Sequence, residues 1–126
     1  MRQQIKIKDF SIFFTNINKE MNLSGHSHFG LVSMTFDHNK TGFPAFGATY
    51  QDIKNELEQF TEKAFRESTN EEVARRLFSH FAELDYGKFN WPYETKFWLT
   101  SLTLSVRGVQ DKWGHADGFA DYTVSK

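Results

Sequence analysis

Apolar and polar residues alternate at both ends of this chain and recur at helical spacing through its middle. Near the N-terminus, "IKIKDFSIFFTNI" (5–17) sets Ile5 and Ile7 on one side and Phe10, Ile12 and Phe14 on the other. That is the period of two of a half-buried strand. The change of phase at Lys8-Asp9 predicts a bulge or bend within it. A second alternation, "HFGLVSMTFDH" (28–38), places Val32, Met34 and Phe36 on one face and Leu31, Ser33 and Thr35 on the other. The polar "NKEMNLSG" between the two runs predicts a hairpin.

From residue 49 the period changes. Tyr50, Ile53, Leu57, Phe60 and Ala64 recur at steps of three and four, the apolar stripe of an amphipathic helix. Thr49 reads as its N-cap, with Asp52 in the first turn where the helix dipole favours an acid. "RESTNEE" then interrupts the stripe and offers two capping boxes, Ser68 with Glu71 or Thr69 with Glu72. A second stripe follows, Val73, Leu77, Phe81 and Leu84, flanked by Ala74 and Phe78. Gly87 reads as its stop.

The last block returns to strand. "TKFWLTSLTLSVR" (95–107) sets Trp98, Thr100, Leu102, Leu104 and Val106 on one face. Its other face, Phe97, Leu99, Ser101, Thr103 and Ser105, becomes polar towards the end. This suits a sheet with one covered and one half-wet face. "GVQDKWGHADG" reads as a loop, and "FADYTVS" (119–125) as a final short strand. The order β-β-α-α-β-β predicts an α+β fold: an antiparallel sheet with two amphipathic helices packed on one face. A chain of 126 residues fits one such domain, 1–126.

Composition narrows the function. There is no cysteine, which excludes a disulfide scaffold and thiolate zinc sites and suits a reducing compartment. No apolar run approaches the roughly 18 residues of a membrane span, and "MRQQIKIKDF" has no apolar core of a signal peptide. The expectation is a complete, cytoplasmic chain without membrane contact. Residues 1–50 hold 5 basic and 3 acidic groups, residues 51–94 hold 6 and 10, and residues 95–126 hold 4 and 3. The chain carries no broad basic footprint, which argues against nucleic acid as a partner. The acidic helical middle suits a basic protein instead.

Two groups of residues carry candidate chemistry. His26 and His28 stand one residue apart, so in an extended segment both imidazoles point to the same side. His115 and Asp117 repeat that spacing in "WGHADG". Histidine with carboxylate is workable ligand chemistry for zinc, iron or manganese, and His28 with His115 would make an acid–base pair for a hydrolase. His38 shares the parity of His26 but stands 12 residues on, too far for one ion to bridge them. The H-x-H spacing occurs in cupins, yet the glycine ahead of it and the glutamate after it are missing here, and the central helices do not fit a barrel. No phosphate loop and no G-x-S-x-G elbow is present.

The second group is aromatic. Aromatic residues make up 17% of the chain, and Tyr86, Phe89, Trp91, Tyr93, Phe97 and Trp98 crowd into "DYGKFNWPYETKFW" (85–98). Loop aromatics rimmed by charge have the anchor-and-rim build of a protein interface. The leading expectation is therefore a small protein-binding antagonist without cofactor or metal, of the immunity-protein or phage-inhibitor type. It would dock on another protein, such as a basic toxin or nuclease. Tyr86, Phe89, Trp91 and Tyr93 would be its anchors, and Glu56, Glu62, Glu71 and Glu72 its steering charges. The alternative is a small metal-dependent or histidine-based hydrolase using His26, His28, His115 and Asp117. An exposed sheet face would permit a homodimer in either case.

Overall fold

The alternating ends of the chain come together as one sheet, and the helical middle lies across it. The computed structural model describes residues 3–18, 23–38, 46–64, 69–89, 97–107 and 119–126. Along the chain these form β1 (Gln3–Asn18), β2 (Leu23–His38), α1 (Phe46–Ala64), α2 (Asn70–Glu83), a 3-10 turn (Tyr86–Phe89), β3 (Phe97–Arg107) and β4 (Phe119–Ser125). The strands make an antiparallel sheet in the order β1-β2-β3-β4. The 3-10 turn after α2 is an addition to the expected order. Among the described residues no helix is long and apolar enough to cross a membrane.

Two bulges decide which residues meet. In β1, Ile7 pairs with Met34 and Phe10 with Val32, so Lys8 and Asp9 together stand opposite Ser33. Asp9 takes a left-handed conformation, φ 64°, and its N–H donates to Ser33 Oγ at 3.2 Å. Aspartate is one of the few non-glycine residues that tolerate this region. The extra residue turns the strand half a period. Simple alternation puts Ile7 and Phe10 on opposite faces; the bulge puts Ile7, Phe10, Ile12 and Phe14 on one face, all buried.

In β3, Thr35 pairs with Ser101 but Phe36 pairs with Leu99, which leaves Thr100 as the extra residue. Its hydroxyl donates to the Thr35 carbonyl at 3.1 Å. Here alternation alone misleads. It groups Trp98 with Leu102, Leu104 and Val106, whereas Leu99 joins them in the core and Trp98 lies in register with Asp37 on the opposite face.

The helices cover only the apolar face. Ile53 and Leu57 of α1, and Val73, Ala74, Leu77 and Phe81 of α2, form one buried cluster with the strand residues. α1 packs over β1, where the Tyr50 and Phe10 rings stack at 4.7 Å, and α2 packs over β3 and β4. The helix ends differ from expectation in two places. α1 begins at Phe46, so Thr49 is a buried interior residue rather than a cap, and Asp52 falls beyond the first turn. α2 ends at Glu83, before Gly87, because Leu84 turns extended and Asp85 Oδ1 then accepts the Gly87 N–H at 2.9 Å. The cap of α2 is Thr69, which accepts the Glu72 N–H at 3.2 Å.

Among the described residues no helix lies on the hydroxyl-rich face. Thr103 and Thr123 hydroxyls meet at 2.9 Å, and Ser105 Oγ donates to Asp121 Oδ1 at 2.6 Å. Gly30 sits buried in β2, where a Cβ would come within 3.1 Å of Phe14 Cε1 and 3.2 Å of Leu104 Cδ1. Gly30→Val is therefore expected to destabilise the fold by about 1–3 kcal/mol, since the strands on both sides must shift. Urea unfolding measures this; an unchanged midpoint contradicts the packing described.

Candidate functional site

The hairpin of β1 and β2 outruns the sheet. β3 pairs with β2 from His38 only as far as Gly30, while β1 and β2 continue pairing to Asn18 and Leu23. Where that overhang begins, on the open face, Phe13 is 71% exposed. Its ring lies 5.4 Å from that of Phe29, its register partner, which is half-buried. Among the described residues no helix covers this pair. The same parity that buries Phe10, Ile12 and Phe14 turns Phe13 outward, and that was the sequence signal for it.

A second cluster ties the helices to the turn. Glu56 of α1 is only 11% exposed in its side chain and accepts from Lys88 Nζ at 2.6 Å and His80 Nε2 at 2.9 Å. The His80 ring stacks on Phe60 at 4.2 Å. Burial pushes the Glu56 carboxyl up, but the hydrogen bonds and charges of Lys88 and His80 outweigh it and hold it below the usual carboxylate range. Beside it, the Tyr86 hydroxyl donates to the Phe81 carbonyl at 2.6 Å and its ring meets Phe36 edge-on at 5.8 Å. Burial, and then the Glu56 charge, push the Tyr86 phenol far above its ordinary value.

Part of the expected site stands in and around this cluster. Tyr86 is packed against the core, and Glu56 is an internal acceptor joining α1, α2 and the turn. Phe89 is half-buried, 6.1 Å from Tyr86, with Lys88 Nζ 5.3 Å from its ring centre. Glu71 is exposed in the first turn of α2, and Glu72 there pairs with Arg75. Trp91, Tyr93, His115 and Asp117 lie outside the described residues, as does the side chain of Glu62. His26 and His28 stand in β2 opposite Asn16 and Phe14, their side chains outside the description. Among the described residues no three histidine or carboxylate side chains converge as a metal site.

Near the far end of the open face, Asp37, Trp98, Thr100 and Lys126 line a pocket of about 320 Å³. Sequence spacing had not singled out this group, because it depends on the Thr100 bulge. Comparison with protein-family models, with curated proteins and with solved structures finds no match.

The Glu56 cluster generates a pH prediction. A carboxyl whose folded pKa is lowered adds stability that is fully present above its unfolded value, near 4.5, and is lost as pH falls through the folded value. Glu56→Gln is expected to cost about 1–2 kcal/mol at neutral pH, Lys88 being half-exposed. It should also flatten the acid limb of the stability curve. Parallel acid limbs for the two proteins, measured by urea unfolding between neutral and acid pH, would refute the pairing.

Proposed function

We propose that this chain is a non-catalytic protein-binding module, an antagonist of the immunity-protein or phage-inhibitor kind that acts in the cytoplasm by docking on a macromolecular partner. The observation that carries this reading is the open aromatic pair. Phe13 holds most of its ring in water beside Phe29, on the one face the helices leave bare. A phenylalanine ring left 71% exposed adds little to the fold and gains much if a partner covers it. Rings of this kind, seated in a partner's pocket, dominate binding energy.

Two further features support it. The chain that follows Tyr86 and Phe89 carries Trp91 and Tyr93, so the aromatic stretch continues past the packed turn. On the helix layer, Glu58, Glu71 and Glu83 are exposed, and Glu72 partly so, which suits approach to a basic protein. Glu71 and Glu72 keep the steering role in this reading; Glu56 and Tyr86 act in holding the turn that carries Phe89.

The test starts from the tagged chain expressed in its own host, with the co-purifying protein identified and then prepared separately. Calorimetry on the purified pair is expected to show that Phe13→Ser with Phe29→Ser, and Trp91→Ala, each weaken binding by about 2 kcal/mol or more. The melting temperature of the Phe13→Ser variant alone should change little, because Phe13 is exposed. Full affinity in both variants would sink the reading.

A further inference from the structure

The two edges of the sheet are built differently. β1 presents a bulge, a left-handed Asp9 and the exposed Lys6 and Lys8, the devices by which sheet edges resist further pairing. β4 has none of these. Its register with β3 runs without interruption from Phe119 to Ser125, and among the described residues its outer side pairs with no strand. The Lys126 N–H donates to the Thr100 carbonyl at 3.0 Å, so alternation turns the main-chain groups of Asp121, Thr123 and Ser125 outward. The side-chain hydrogen bonds from Ser105 to Asp121, between Thr103 and Thr123, and from Ser125 to Ser101 agree with this. Side chains approach most closely in the pairs that lack main-chain bonds.

We propose that the β4 edge pairs with β4 of a second copy of this chain, antiparallel about a twofold axis at Thr123, to make a continuous sheet of eight strands. The occupant is named by self-complementarity. In that register Thr123 meets Thr123 of the partner subunit, and Asp121 meets the partner's Ser125. On the helix face Tyr122 meets the partner's Val124, an aromatic opposite a β-branched residue, which is a favourable cross-strand pair made twice. No like charges stand opposite one another.

The helix layer fits the same axis. α2 lies over β3 and β4. Two such helices, related across the new strand pair, would run antiparallel at roughly two strand spacings, about 10 Å. That is the separation of packed helices, about 8–10 Å. Between α2 and β4 there is a groove of about 580 Å³, lined by Glu71, Ala74 and Arg75 of α2 and by residues 122–125 of β4. Ala74, small and already buried, lies at the floor of that groove, so no large side chain of its own fills it. Glu71 and Arg75 flank it one turn apart, so an antiparallel mate sets acid against base on both sides.

Sedimentation equilibrium over a concentration series tests this, with amide exchange as a second readout. Wild-type protein is expected to reach twice the 14.7 kDa chain mass, and the Thr123 amide to become protected as the dimer forms. Thr123→Pro removes an outward N–H and leaves the ladder to β3 intact, so the variant should be monomeric with an unchanged circular dichroism spectrum. Should that variant not fold, charge reversal decides. Glu71→Arg and Arg75→Glu should each weaken the dimer roughly tenfold, and the double swap should restore it. A wild-type monomer at every concentration overturns the proposal. A dimer that ignores both the proline and the charge reversals overturns it equally.

Discussion

Everything in this fold depends on keeping the apolar residues of four strands on one face. The helices supply a single apolar layer, Ile53 and Leu57 from α1 and Val73, Ala74, Leu77 and Phe81 from α2, and it can cover only one side of the sheet. The bulges at Lys8-Asp9 and Thr100 are the correction that makes this possible. Without the first, Ile7 or Phe10 would face water; without the second, Leu99 would. Each bulge is held by a hydrogen bond to the neighbouring strand, from Asp9 N–H to Ser33 Oγ and from Thr100 Oγ1 to the Thr35 carbonyl. One-sided cover leaves the other face, among the described residues, to hydroxyl pairs, to Phe13 and Phe29, and to Asp37 and Trp98.

The Glu56 cluster plays the matching part on the helix layer. One nearly buried carboxylate receives a cation from the turn and an imidazole from α2, so three separate elements share one acceptor. A buried carboxylate is costly unless it is paired and hydrogen-bonded, and here both partners are present. The Tyr86 hydroxyl adds a third tie, to the Phe81 carbonyl in α2. These bonds tie the turn that carries Phe89 to the helix layer.

Much of this was legible in the sequence. The stripes Ile53–Leu57 and Val73–Leu77–Phe81 needed only the helical period, and the final strand fell at 119–125 as the alternation indicated. The Lys8-Asp9 bulge was legible because two clear alternations disagree in phase on either side of it. The Thr100 bulge was not, since Trp98, Thr100 and Leu102 alternate smoothly and only pairing with Phe36 reveals the slip. Glu56 looked like any acid on a helix; its partners His80 and Lys88 are 24 and 32 residues away, and only packing brings them together. Phe13 was hidden inside an apolar run, where its parity, not its chemistry, sets it apart. The H-x-H and H-x-D segments stood out in the sequence, and their imidazoles fall outside the described residues.

The most direct test of the central claim, that this chain acts by binding another protein and not by chemistry of its own, is a native mass spectrum of the protein purified gently from its own host. The account predicts an assembly that contains a second, different polypeptide and carries no metal ion. A chain that retains a bound metal ion and has no other polypeptide attached would contradict it and turn attention to His26 and His28.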